Sequence, residues 1–381
     1  MISDVYFPRI NGVSTSINTF KDELESLGHQ VTLIVPHYNA TEDTDPTIIR
    51  IPSRYLPLDP EDRAMRWGKI FKLLETLAQS HYDILHIQTP FIAHYVGVSL
   101  AKKLGIPRVE TYHTYFEEYL YHYVPFLPKS WMKYVARRYT KTQCNDLDAV
   151  IVPSSAMKEV LQQYGVNAMT EVLPTGIELE KFHDGDGDRF RRKYNIPFDR
   201  PTLVFIGRVA FEKNIDFLLH VVDKVRQTIP DVLLLIAGEG PSLSHLKHMA
   251  KNLHLNDNVL FLGYLDRKKE LLDCYACGDA FVFASNTETQ GLVLLEAMAL
   301  GVPLVSTAVM GTKDILAAKK GALVCNESID EFGDAVITLL ADKQLREKLS
   351  KEALEYVKTW SALSMAEKLV SFYERVIQHH S

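Results

Sequence analysis

Short apolar runs alternate along this chain with longer stretches whose apolar residues recur at helical spacing, almost to its end. Such alternation predicts buried parallel strands covered by helices. In the first half, strands are expected at residues 31–35, 84–87, 108–112 and 149–152. The series restarts at residues 202–206, 232–237, 259–261, 280–284 and 303–306. Each half therefore reads as its own doubly wound α/β sheet, an architecture repeated without any repeat of sequence.

Between the halves lie the turn-rich Leu173-Pro-Thr-Gly-Ile-Glu-Leu-Glu-Lys-Phe182 and the polar His183-Asp-Gly-Asp-Gly-Asp188, which reads as a solvated linker. The expected domains are residues 1–175 and 176–360, with a last helix at about 361–381 packing back on the first. Met1-Ile-Ser-Asp4 leaves little room for a first strand, so either that strand is very short or the start lies late.

The length of 381 residues exceeds the usual size of one hydrophobic core. Apolar content of 46% and charged content of 24% are those of an ordinary soluble protein. A net charge of −6 argues against a nucleic-acid partner, which would call for a basic excess. No apolar run approaches the roughly 20 residues that span a bilayer, and the opening residues show no signal-peptide pattern. Cys144, Cys274, Cys277 and Cys325 are too few for a disulfide framework, so the expected compartment is a reducing cytoplasm.

Candidate chemistry concentrates in Ser285-Asn-Thr-Glu-Thr-Gln-Gly-Leu-Val-Leu-Leu-Glu-Ala-Met-Ala-Leu-Gly301. A buried strand leads into a polar turn holding Glu288, Gly291 follows, and a helix carrying Glu296 runs to Gly301. A strand, a glycine turn and a helix start form an anion site, because unpaired N–H groups and the positive helix end face the turn. Two carboxylates bracketing such a site suit a ligand with a diphosphate in its middle and hydroxyls at both ends. Gly207, Arg208 and Lys213 follow another strand, where an open sheet binds anions. An arginine fork and a lysine charge would offset a diphosphate gaining charge as a bond breaks.

In the first half, Asn11 and Gly12 in the first loop would let backbone approach a phosphate, although a plain turn explains them too. His113 stands just past an expected strand end, with Glu117 and Glu118 unassigned behind it. Asp184-Gly-Asp-Gly-Asp188 lacks the sixth-place glycine and twelfth-place glutamate of a calcium loop. Cys274-Tyr-Ala-Cys277 sits inside an apolar helical pattern with no second cysteine pair, which reads as core rather than zinc or redox chemistry. No GxGxxG, HExxH or GxSxG pattern occurs. Residues 126–141 carry five cations and no acid, with Lys129, Lys133 and Arg137 on one helical face among Trp131, Met132, Tyr134 and Val135. Tyr119, Tyr121, Tyr123 and Phe126 come just before. Contact with an anionic membrane and a solvated amphipathic helix both fit this segment.

Taken together, these residues resemble retaining glycosyltransferases of the GT-B fold, glycosyltransferase family 4, over essentially the whole chain. The spacing from Glu288 to Glu296 is the most specific marker. The first loop and His113-Thr-Tyr-Phe-Glu-Glu-Tyr-Leu-Tyr-His-Tyr-Val124 look most like bacterial diacylglycerol glucosyltransferases. Phosphatidylinositol mannosyltransferases are a more distant match. The resemblance implies two Rossmann-like domains facing a central cleft, the first for the acceptor and the second for a nucleotide sugar. It implies that Glu296 holds the ribose, that Glu288 holds the sugar's outer hydroxyls, and that amides of Gln290, Gly291, Leu292 and Val293 meet sugar and phosphates. Arg208 and Lys213 would hold the diphosphate, Gly12 would close over it, and His113 would contact the sugar near its reacting carbon. His113, Arg208, Lys213 and Glu288 are the expected catalytic set.

The family commonly works without a bound metal, so no cofactor is expected beyond the donor substrate. Thr289-Gln290 stands where many relatives have Pro-Phe or similar, which puts sugar selectivity in question more than activity. The expected activity moves glucose from UDP-glucose to a lipid such as diacylglycerol, in the cytoplasm or at the inner face of the cell membrane. Alternatives are mannose transfer from GDP-mannose to a phosphatidylinositol or glycan, a sugar-nucleotide epimerase of the same fold, and a non-catalytic binding protein.

Overall fold

The computed structural model describes residues 1–9, 11–38, 45–56, 59–113, 129–266 and 269–380, without the side chains of 55–56, 59–62, 71, 74, 129–130 and 132. Glu117, Glu118, Tyr119, Tyr121, Tyr123 and Phe126 lie outside the described residues. The chain divides into two compact units, Met1–Gly176 with Ala362–Ser381, and Ile177–Ser361.

In the first unit β1 (Leu33–Pro36) pairs in parallel with β2 (Ile48–Ile51), and a hairpin of β3 (Ser53–Leu56) and β4 (Asp59–Met65) follows. β5 (Leu85–Ile87), β6 (Arg108–Thr111), β7 (Ala149–Val152) and β8 (Met169–Val172) form a parallel ladder in that order. The first strand is a single residue: Ile2 bridges Ile34 on one side and Ile87 on the other, all in parallel. Its amide donates to the His86 carbonyl and its carbonyl accepts from Gln88, so one residue joins β1–β2 to β5–β8. Sequence order reverses across Ile2, which makes it this unit's topological switch point.

The terminal helix Ala362–His380 turns Met365, Ala366, Leu369, Phe372 and Val376 to one face. That stripe packs on Phe20, Leu24, Val109 and Ile151 of the first unit. Burying each of the larger side chains in this stripe, Met365, Leu369, Phe372 and Val376, contributes about 1.5–3 kcal/mol. Among the described residues no helix is long and apolar enough to cross a membrane.

The second unit is one six-stranded parallel sheet, ordered β11-β10-β9-β12-β13-β14. Its strands are β9 (Thr202–Ile206), β10 (Leu233–Ala237), β11 (Val259–Gly263), β12 (Ala280–Phe283), β13 (Leu304–Thr307) and β14 (Ala322–Cys325). β9, β10, β12 and β13 are buried along their whole length, which explains their near-continuous apolar runs. β9 lies between β10 and β12, so the order reverses there and a crevice opens at the carboxyl ends of β9 and β12.

The polar Gly/Asp run is not a solvated linker. Asp186 caps the helix Gly187–Lys193 by accepting from the Arg189 amide. A Cβ on Gly187 would lie 2.4 Å from the Ala276 carbonyl oxygen, so glycine there permits close packing on the helix Glu270–Ala276. Arg189 binds Asp273 of that helix through two nitrogens at 2.5 Å. Cys274 and Cys277 are buried, and the Cys277 thiol donates to the Cys274 carbonyl.

Candidate active site

β9 and β12 are adjacent although their following loops are far apart in sequence, and this places the two strongest motifs side by side. Lys213 ends a 3₁₀ turn after β9, and its ammonium donates to Glu288 Oε2 at 2.5 Å. Both side chains reach solvent, at 18% and 21% exposure, so a ligand could meet them. The Glu212 carbonyl accepts from the Asn286 amide and the Ser285 hydroxyl, each at 3.3 Å, which ties the two loops together. Arg208 is placed differently. Its side chain is 65% exposed, and its guanidinium pairs with Glu212 at 3.4 Å.

Glu288 lies in the turn and Glu296 inside the helix Leu292–Ala299, so the two carboxylates stand on different elements. Gly291 is the N-cap at φ 99°, a left-handed conformation that favours glycine, and no side chain caps this helix. An amino end without a side-chain cap is the arrangement that suits an anion, and Leu292 and Val293 there are half-buried. Glu296 is 7% exposed and accepts from the Tyr275 hydroxyl at 2.7 Å.

A second loop supports the turn from behind. The Gly311 amide donates to the Glu288 carbonyl at 2.8 Å, and a Cβ on Gly311 would meet the Thr289 carbonyl oxygen at 2.0 Å. Close backbone approach also shapes the loops after β9 and β10. A Cβ on Gly238 would lie 1.9 Å from the Gly207 oxygen, and one on Gly240 would lie 2.3 Å from the Val209 oxygen. Sequence reasoning missed Tyr275, Gly238, Gly240 and Gly311. The glycines were a visible signal, but their partners are set by strand order.

In the first unit, loops at the carboxyl ends of Ile2, β5 and β6 share buried polar groups. The Asp4 amide donates to Thr89 Oγ1, that hydroxyl donates to Asp4 Oδ2, and Asp4 accepts from the Ala93 amide. Asp4 thereby caps the helix Ile92–Leu104, whose own N-cap residue Phe91 makes no side-chain cap. Burial pushes the Asp4 carboxyl up to about 7. His113 Nε2 lies 3.1 Å from Gln88 Oε1, and burial lowers its pKa to about 4. Neutral His113 then donates from Nε2 to Gln88.

Asn11 caps the helix Gly12–Ser26, accepting from the Ser14 amide while Ser14 Oγ accepts from the Asn11 amide. A Cβ on Gly12 would meet nothing within 4 Å, so the space around it is open.

A pH prediction follows. His113 should act as a neutral group, so any acid limb it imposes on kcat/KM should fall near pH 4. An inflection near 6.5 that disappears in His113→Gln would contradict this. The linked effect on stability has the same sign. The unfolded chain takes up a proton near pH 6.5, and the native state does so only near pH 4, so stability declines as pH falls between these values.

Two Rossmann-like units, the second with cations and carboxylates at its switch point, are the architecture of the GT-B class of glycosyltransferases. The Glycosyltransferase Family 4 description matches residues 10–181, and the Glycosyl transferases group 1 description matches residues 186–356. The chain belongs to this glycosyltransferase family. It is similar to the alpha-monoglucosyldiacylglycerol synthase of Streptococcus pneumoniae, at 35% identity over 98% of this chain and 84% of that protein. It is also similar to the GDP-mannose-dependent alpha-mannosyltransferase of Corynebacterium glutamicum, at 27% identity over 99% and 88% of the two chains. Among solved structures, Anabaena HepE in complex with UDP matches with a TM-score of 0.76 and 15% identity, over 98% of each chain. That likeness supports the fold.

Proposed function

We propose that this glycosyltransferase moves glucose from UDP-glucose to a lipid such as diacylglycerol, retaining the anomeric configuration. The observation that carries the reading is the Lys213–Glu288 pair at the β9–β12 switch point. It sets a cation for a diphosphate beside a carboxylate for sugar hydroxyls. Glu296 serves as the ribose clamp, and amides of Gln290, Gly291, Leu292 and Val293 meet the phosphates and sugar. Arg208 adds charge from an exposed position that can swing onto a bound anion. The glucose donor and lipid acceptor rest on the similarity to the pneumococcal synthase.

In the proposed step the acceptor hydroxyl forms its bond to the anomeric carbon on the face from which the diphosphate departs. The departing β-phosphate oxygen takes the hydroxyl's proton, so the protein supplies position and electrostatic stabilisation. Lys213 and Arg208 supply the positive charge, and no metal is needed as the counter-charge. By the family resemblance, His113 is the first unit's proposed donor-sugar residue, and burial keeps it neutral.

The competing reading is mannose from GDP-mannose to a phosphatidylinositol or glycan, and the similarity to the Corynebacterium enzyme supports its donor. Donor hydrolysis across UDP-, GDP- and ADP-sugars, with and without EDTA, separates the two. UDP-glucose should turn over fastest and EDTA should change nothing. A preference for GDP-mannose would replace the glucosyl reading, and loss of turnover in EDTA would overturn the metal-independent one.

A lipid acceptor calls for access to a membrane surface at the cytoplasmic face. The helix Lys129–Asn145 exposes Trp131, Tyr134 and Val135 beside the exposed Lys133, while the Arg137 guanidinium stacks 5.4 Å from the Tyr164 ring centre. Changing Lys129, Lys133 and Arg137 to glutamine should weaken binding to anionic vesicles at least tenfold at low salt. Each basic residue near such a surface is worth about 1 kcal/mol. Unchanged co-sedimentation would remove the membrane reading.

A further inference from the structure

Tyr275 belongs to the Cys274-Tyr-Ala-Cys277 segment, whose cysteines are core residues, yet its hydroxyl has a polar task. The residue is fully buried, at 0% exposure, and is among the largest side chains in the protein's interior. Its ring packs on Phe281 of β12 with centroids 5.6 Å apart, which fixes the phenol in place. Phenylalanine would fill the same space without a polar atom to satisfy. The hydroxyl is tolerated there because it donates to Glu296 Oε2 at 2.7 Å. A carboxylate in a helix otherwise has several rotamers. A rigid donor at one oxygen selects among them before any ligand arrives.

We propose that Tyr275 is a positioning residue that aims the Glu296 carboxylate at the donor's ribose and so makes the site select ribonucleotide over deoxyribonucleotide donors. This rests on the reading of Glu296 as the ribose clamp. The physical basis is pre-organisation: a bond from a neutral donor to an ionised acceptor is among the stronger hydrogen bonds, and its rigid side is the buried one. Removing the hydroxyl keeps the ring in its place and takes one fixed donor from the carboxylate, which weakens the contacts that depend on its direction.

The test measures binding of UDP and 2′,3′-dideoxy-UDP to the full chain by calorimetry, for wild type, Tyr275→Phe and Glu296→Gln, with a parallel GDP pair to cover a guanine donor. Wild type should prefer the ribonucleotide. Tyr275→Phe should lose about tenfold in UDP affinity, the scale of one charge-assisted hydrogen bond, with the dideoxy ligand bound as before. Equal weakening of both ligands, or a lowered melting temperature with an unchanged affinity ratio, would mean a structural role only and would overturn the proposal. If Glu296→Gln abolishes the ribose preference and Tyr275→Phe keeps it, the clamp stands and the Tyr275 proposal falls. If wild type shows no preference, the clamp reading fails and the proposal falls with it.

Discussion

Replacing Lys213 with alanine should lower kcat/KM for the sugar nucleotide by about 10²–10³-fold, the range seen when one preorganised electrostatic donor is removed from an active site. Lys213 is the cation held directly against Glu288, and the switch-point geometry leaves its position well defined. Two losses combine in the variant: the diphosphate lacks its counter-charge, and the Glu288 carboxylate beside it lacks a partner. Glu288→Gln loses its own contact to the sugar, so the two losses are separated by a full cycle of Lys213→Ala, Glu288→Gln and the double variant, whose non-additivity reports the coupling between the two side chains. Lys213→Arg should recover part of the rate, since a planar fork does not reproduce a compact ammonium. Arg208→Ala should also lose most transfer, and with the side chain 65% exposed and its ion pair to Glu212 long at 3.4 Å, the fold should be little affected. Initial rates of nucleoside diphosphate release at subsaturating donor give the answer. A Lys213→Ala rate within threefold of wild type would sink the diphosphate clamp.

Gly311→Ala should be nearly as damaging although Gly311 carries no functional group. Its φ of −65° is open to any residue, so the penalty is steric and not conformational. The added carbon would sit 2.0 Å from the Thr289 carbonyl oxygen and 2.6 Å from the Gln290 nitrogen, both backbone atoms. The 288–290 turn must shift, and with it the Glu288 carboxylate and the amino end of the helix Leu292–Ala299. Overpacking of this kind costs about 1–3 kcal/mol in stability. Displacement of a catalytic turn by about an ångström can cost about 100-fold in rate. Thermal unfolding and steady-state rates measure the two effects separately. Wild-type kinetics in this variant would show that the 310–312 loop does not support the site.

The second unit was legible in the sequence because its strands are buried on both faces. Five of its six were readable as apolar runs, with ends within one or two residues of the observed strands; β14 was not expected. The first unit was harder to read for identifiable reasons. Its first strand is one residue, Ile2, too short for any periodic signal, and β2, β3, β4 and β8 were not expected at all. β2 and β8 are only partly buried along most of their length, so they lack the continuous apolar run that marks their neighbours. For the candidate site, motif spacing singled out Lys213, Glu288, Gly291 and Glu296, because strand–turn–helix junctions have strong local signatures, and the structure brings Lys213 and Glu288 together. The supporting residues Tyr275, Gly311 and Gln88 act through tertiary neighbours, and nothing in their own segments says which neighbour each will meet. The polar run ending at Asp188 misled for the same reason: its glycines serve a helix about ninety residues later in the chain.

The central claim is tested most directly by supplying UDP-glucose with diacylglycerol vesicles and following UDP and glycolipid in the same reaction. The account predicts equimolar UDP and α-glucosyl lipid from the wild-type protein, and the loss of both together in Lys213→Ala. Conversion of the sugar nucleotide without an acceptor, or a β-linked product, would contradict it.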